Sequence, residues 1–516
     1  MLRLIIKDIT SSIHELKVQL IGLTMVVLAS VITTISLFDY QAKMDAYQVA
    51  QAANRNALRK NAVYGTMRPK AIRPPEPLSI LCEGINPYVG NTVDFDLLNI
   101  PYEAGNLPNN NPYTANFIKM DFSKILMWLL SIIALFVSYD AVSKEREQGT
   151  LKLILSGQLS RVQFFLSKYA SCAITTLLFL VLTFLIVLCM LFVAPWVEVT
   201  LHVFLRILIL FFVSCLYALI WIGIGISISI VTNSSSTSLM LSLAAWVVLM
   251  LVIPTAKRRT VGSTHFVNET QRVESMHDAI MSEYKRESST LEAECFSSLI
   301  ANRQFLTVGG GIGGLPVFLP NRPTFDALKR YYQSLNRLKM DCADRKYRIA
   351  EELFLKPYER KIRLNNRLSL FSPASIFEII SMKIARTSFS DYIQYLNRAK
   401  QYHDQVINYL NNKNAFSSAR WFTLEDKVNP LFDRIDRGEL KVGSPEFIEI
   451  VTKLRNNYLS NPKYLQINGF PMFTYTGYEI DYLISEIGLP IVIMILSIGI
   501  LITFGFFKIR KYEMME

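Results

Sequence analysis

Apolar residues in this chain gather into a few long runs, with polar stretches between them. A helix needs about 18–20 consecutive apolar residues to cross roughly 30 Å of hydrocarbon. Six segments approach that length: 18–38, 123–142, 164–194, 203–231, 234–253 and 484–507. The fifth does so only if Ser234–Thr237 belong to the helix. The first has basic flanks, as a secretory leader would, but its apolar stretch of about 20 residues exceeds the usual 7–15. It also ends in Leu37-Phe38-Asp39 without a small-x-small cleavage pattern, so it reads as a retained anchor.

Two longer blocks separate the runs. Segment 39–122 opens with polar, helix-compatible sequence (Gln41–Lys60) and then turns irregular at Arg73-Pro74-Pro75-Glu76-Pro77, 84–90 and 106–112. Adjacent prolines and Asn/Gly clusters favour loops, and this block needs the second one to complete a core. Segment 254–483 reads as helical. Leu328, Tyr332, Leu335, Cys342, Ile349 and Leu353 recur at heptad spacing, with Thr324 as an N-cap candidate after Pro323. Lys339 and Lys346 interrupt the seam, which predicts a short packed helical hairpin and not a long coiled coil. Further helices are expected at Ile376–Lys383 and Ser390–Leu410. The pattern predicts an all-α polytopic membrane protein: six transmembrane helices with a large, mainly helical extracytoplasmic domain.

Composition agrees. Charged residues make up 19% of the chain, against about 25% in soluble domains, which excludes a single soluble globule. Aromatic residues at 12% exclude a disordered chain. The balance of 54 Lys+Arg to 42 Asp+Glu gives +12, and in a membrane chain such an excess points to anionic lipid, not nucleic acid. Arg3, Lys7 and Lys17 lie in segment 1–17, Lys144, Arg146, Lys152 and Arg161 in loop 143–163, and Lys508, Arg510 and Lys511 in tail 508–516. An even number of spans puts all three on one side, the cytoplasmic one by the positive-inside rule. Lys257-Arg258-Arg259 falls on the other side, where large domains translocate regardless of charge.

Candidate chemistry is sparse. Gly309-Gly310-Gly311-Ile312-Gly313-Gly314 contains G-x-G-x-x-G, but Leu315-Pro316 follows it where a dinucleotide site needs a helix, so it reads as a loop or hinge. The five histidines form no zinc pattern, and the external cysteines Cys82, Cys295 and Cys342 are an odd number that reveals no disulfide framework. Asn268-Glu269-Thr270 is a glycosylation sequon, meaningful only in a eukaryotic lumenal setting. There is no P-loop, so nucleotide hydrolysis falls to a partner, and neither an enzyme nor a bound cofactor or metal is expected. In the spans, Gly223 with Ser227 and Gly225 with Ser229 give small-xxx-small spacing, suited to helix packing, a dimer face or a pathway lining. Arg206 either snorkels to the outer interface or meets a substrate.

The loop after the second run is the most informative stretch. Span two continues into a charged helix that Gly149 can end with a left-handed cap. Leu151, Ile154 and Leu155 then share one helical face. Ser156–Leu159 make a turn, and Ser160 with Gln163 forms a capping box opening the third run. The apolar face either lies on lipid or docks into a cytosolic partner, with Glu145 and Glu147 matching basic groups there.

Glu145-x-Glu147-x-Gly149-Thr150-Leu151-x-Leu153-x-Leu155-Ser156-x-x-x-Ser160-Arg161, followed by Lys168, resembles the signature of type-2 permeases of ATP-binding-cassette (ABC-2) transporters. The similarity continues in Arg73-Pro74-Pro75-x-Pro77-Leu78, Gly84-x-x-Pro87-Tyr88-x-Gly90, Trp246 with Pro254, Leu370-x-Ser372-Pro373-Ala374, and Phe507-x-x-Arg510-x-Tyr512, where Glu513 replaces a frequent Asp. The chain most resembles the subgroup with a large external domain between spans five and six. The resemblance implies an exporter permease in the plasma membrane (a bacterial inner membrane), working with a cytosolic ATP-binding-cassette ATPase subunit and a second permease, identical or sister. It implies that Glu145, Glu147, Gly149, Thr150, Leu151, Ile154, Leu155, Ser156, Ser160 and Arg161 form the coupling contact, and that about Leu2–Leu16 is an amphipathic helix along the membrane. The rival reading is a polytopic receptor or adhesion protein whose external domain binds a ligand.

Overall fold

The computed structural model describes residues 2–100, 102–103, 120–155, 160–255, 264–304, 306–308, 311–312, 315–316, 319–424, 426–460, 463–475 and 480–511. Among these residues six helices are long and apolar enough to cross a membrane: Leu16–Arg59, Phe122–Glu147, Arg161–Val193, Leu201–Val231, Ser235–Thr255 and Asp481–Arg510, called spans one to six below. The chain is an all-α polytopic membrane protein. Ser234 caps span five by accepting a bond from the Thr237 amide at 3.3 Å, so Ser235–Thr237 do lengthen that span. Asp121, Ser160 and Thr200 cap spans two, three and four in the same way, each accepting from an otherwise orphaned amide.

Span one is a single helix of 44 residues, about 66 Å long at 1.5 Å per residue. Its apolar first half is the expected span, and the polar Gln41–Arg59 continues it without a break. It therefore links the two ends of the molecule. Lys17 pairs with Glu15 and Asp140 at the basal end (3.0 and 3.6 Å), and Leu58 is fully buried in the core at the distal end.

Span four is the hub, packed against spans two, three, five and six. Its small residues explain the closeness. A Cβ on Gly225 would lie 2.0 Å from the Ser138 hydroxyl of span two, and one on Gly223 would lie 3.0 Å from Leu501 of span six. The small-xxx-small pattern thus serves packing within this chain. Gly225→Val is expected to destabilise the bundle by about 1–3 kcal/mol, seen as a lower midpoint of heat denaturation in detergent. Gly488→Ala meets nothing within 4 Å and is expected to leave the midpoint level or raised.

The helix Pro373–Ala385, within segment 254–483, plugs into the bundle. Its Ile376, Phe377, Ile380 and Ile384 join the same apolar core as the spans. Phe377 stacks on Tyr217 of span four at 4.7 Å, Ser372 donates to the Leu249 carbonyl of span five, and Lys383 pairs with Glu486 of span six. Thirteen residues are too few to cross a bilayer, so this apolar helix is buried by protein.

The two distal blocks share one core, in which Leu58, Met67 and Phe95 meet Tyr395, Trp421 and Phe422. A two-stranded ladder, Lys70–Ile72 with Thr92–Asp94, is held by the Tyr395 hydroxyl, which donates to the Ala71 and Asn91 carbonyls. The hairpin pairs Thr264–Ala301 with Arg322–Ala350 and is longer than the expected short one. Arg345–Glu283 (2.6 Å) ties its arms, and Leu335 and Cys342 of the heptad seam are buried. Asn321, not Thr324, is the N-cap; the buried Thr324 hydroxyl accepts from the Leu306 amide instead. Gly311–Ile312 pairs with Leu315–Pro316 as a short antiparallel ladder, while Gly309, Gly310, Gly313 and Gly314 lie outside the described residues, as do Lys257-Arg258-Arg259 and Tyr512-Glu513.

Candidate coupling site

The end of span two and its connection to span three fold into two short helices, Ser143–Glu147 and Thr150–Leu155, joined at Gly149. Gly149 has φ +71°, and its amide closes on the Arg146 carbonyl at 3.1 Å. This is the left-handed cap expected of a glycine there. Span two does not run into this knuckle as one smooth helix; a turn at 139–142 intervenes. The cause is Ser229 of span four, whose hydroxyl accepts from the Val142 and Ser143 amides at 3.1 and 3.0 Å. The freed Tyr139 carbonyl is taken by the Ser143 and Ser238 hydroxyls.

Three charged residues then bolt the knuckle to the bundle. Glu145 accepts from the Thr150 hydroxyl and lies 3.2 Å from the Lys168 ammonium of span three. Lys168, almost fully buried, also pairs with Asp8 at 3.0 Å. Asp8 belongs to the helix Leu2–His14, which packs along span three and is separated from span one by Glu15 alone. One buried cation thus joins the N-terminal helix, both knuckle helices and span three. Arg146 donates to the carbonyls of Ile230 (2.9 Å) and Thr232 (2.7 Å) and to the Asn233 side chain (3.1 Å). It caps the end of span four, where carbonyls lack helical partners and the helix dipole favours a cation. Glu147 accepts from the Ser235 amide at 3.0 Å at the start of span five, the matching anion at a helix N-terminus.

The apolar face is divided. Leu151 is buried in the core of its own chain, and the half-buried Ile154 packs against that core. The Leu155 side chain and all of Ser156 lie outside the described residues. Ser160 and Gln163 form the reciprocal capping box at 3.2 and 3.1 Å, and Arg161 donates to the Arg510 carbonyl of span six at 3.3 Å. Among the described residues, the knuckle exposes Lys144, which pairs with Glu15, and its corner, Glu147, Gln148 and Gly149. Sequence reasoning placed Glu145 and Glu147 as partner-facing charges; here both are engaged within the chain. It left Asp8, Arg146 and Ser229 out of the site altogether. Their partners lie in other helices, Arg146 and Thr232 being 86 positions apart, so no local spacing marks them.

Among the described residues, no cluster of three His, Cys, Asp or Glu could hold a metal ion. The arrangement is a corner fastened to the N-terminal helix and to the ends of spans three, four and five.

Comparison with proteins of curated function returns no match. The family model described as ABC-2 family transporter protein matches residues 2–424, from the N-terminal helix through all of the first five spans and most of the distal blocks. The chain therefore belongs to the ABC-2 family of transporter proteins and is a membrane permease.

Proposed function

We propose that this chain is the permease subunit of an ABC exporter, driven by a separate ATPase subunit that seats on the exposed corner at residues 147–149. The observation that supports this most is the bolting of the corner. A push on Gln148 reaches span three through Lys168, span four through Arg146 and span five through Glu147. A docked motor that favours one arrangement of the corner thereby shifts the equilibrium among arrangements of the spans. Buried Leu151 anchors the knuckle from beneath, so the contact is the polar corner and the Gly149 turn, not the whole apolar face. The N-terminal helix, knuckle and end of span six are cytoplasmic, and the distal blocks lie outside. Two permease copies face the two halves of an ATPase dimer.

Orientation gives a direct test. Gln148→Cys is expected to react with a membrane-impermeant maleimide only in inside-out vesicles, and Tyr88→Cys, at a site 85% exposed, only in right-side-out vesicles. The reverse pattern would place the corner outside and overturn the proposal.

A further inference from the structure

The distal blocks form a half-open cavity of about 200 Å³. Met67 and Phe95 from the first block line it, with Tyr332, Val406 and Phe422 from the second, and Lys339 reaches it from the hairpin helix. The aromatic wall is ordered by its own packing. Tyr332 and Phe422 stack nearly parallel at 5.2 Å, and Trp421 lies so close to residue 65 that a Cβ there would sit 2.7 Å from its carbonyl oxygen. An apolar cavity of about 150 Å³ holds a benzene, so this one suits a single larger ring system or a branched chain of about ten heavy atoms.

One wall carries charge. Lys339 is half-buried, and among the described residues it makes no hydrogen bond or ion pair. Burial holds its ammonium below the ordinary lysine value, opposed by Asp96 and reinforced by Arg68. Asp96, also on the wall, lies 4.0 Å from an Arg68 nitrogen, which offsets its field. His403 is turned toward Asp404, with Nδ1 3.2 Å from a carboxylate oxygen, and its ring lies against Phe95. Arg68 also lines the space, but it donates to the Met67 carbonyl at 3.1 Å and sits beside Asp96; among the described lining cations this leaves the Lys339 ammonium, a partly desolvated cation that gains from an anionic partner.

We propose that this cavity is a binding site for a small monoanion bearing one aromatic or branched apolar group, the ring held by Phe95, Tyr332 and Phe422 and the anion by Lys339. The site belongs to the distal blocks alone and does not rest on how the basal corner couples to ATP.

The test uses the full chain in lipid nanodiscs with no ATPase present. Binding of 2-naphthoate and of its neutral counterpart 2-naphthalenemethanol is measured by equilibrium dialysis, with empty discs correcting for partition into lipid. The carboxylate is expected to bind at least about tenfold tighter than the alcohol, the worth of one charge-assisted contact. Lys339→Gln is expected to erase that preference and Lys339→Arg to keep it. Val406→Trp, which fills the cavity, is expected to abolish binding of both probes. Equal affinity of the wild-type chain for the two probes overturns the proposal, as does a preference unchanged in Lys339→Gln. Should Val406→Trp fail to fold, the lysine pair still decides.

Discussion

Lys168→Met is expected to loosen the whole basal end and to destabilise the chain by about 3 kcal/mol. Lys168 is the common partner of Asp8 and Glu145, at 3.0 and 3.2 Å, and its side chain is 7% exposed. Removing one partner from a buried ion cluster leaves the rest uncompensated, which typically costs about 3–5 kcal/mol. The lower end applies because the two carboxylates keep some contact with solvent. The loss is expected as a lower denaturation midpoint and as faster proteolysis of the N-terminal helix, which loses its tie to span three. Lys168→Arg keeps the charge and should recover most of the midpoint. Adding Glu145→Gln to Lys168→Met removes one of the stranded carboxylates. The double variant should therefore be about 1 kcal/mol more stable than the sum of the single losses, the non-additivity expected of groups in contact. A midpoint equal to wild type in Lys168→Met would mean that the cluster fastens nothing. On the proposed function, the same variant should also uncouple ATP hydrolysis from transport, because the corner would move without moving span three.

The spans were legible because a run of apolar residues near 20 long has few other uses, and Gly149 because a left-handed cap requires little else. What the sequence hid is of two kinds. The plug helix Pro373–Ala385 has the length of an ordinary core helix, and only contacts distant in sequence, such as Phe377 on Tyr217, show that its core is the bundle. The bolts were hidden because each is one polar residue whose partner lies in another helix: Arg146 with the end of span four, Asp8 with Lys168, Ser229 with the turn at 139–142. Arg206 was misread for the same reason. Near the end of an apolar run it suggests snorkelling or substrate, yet it is 3% exposed and donates to the Ile384 carbonyl at 3.0 Å.

Arg206→Leu is therefore expected to release the plug helix. Arg206 stands with Arg73 and Arg386 around the half-buried carboxylate of Glu76 and the buried one of Asp391, at the joint between the bundle and the distal blocks. Arg386, in a left-handed conformation at the plug's C-terminus, lies 3.7 Å from Glu76, and its carbonyl accepts from Arg73 at 2.8 Å. Burial pushes both carboxyls above the usual carboxylate range, and the guanidiniums only partly offset it. Taking one guanidinium away strands the Ile384 carbonyl and raises both carboxyls further, at a cost of about 3 kcal/mol near neutral pH. Amides of residues 373–385 should then exchange faster with solvent than those of span four. The pH dependence has a definite sign. A carboxyl whose folded value is raised favours the folded state at low pH, and that contribution is lost as pH climbs through the folded value. The added rise in Arg206→Leu makes its deficit grow with pH, so the gap to wild type should be smaller at pH 5 than at pH 8. A gap that widens on acidification would show that Arg206 acts on something other than these two carboxylates.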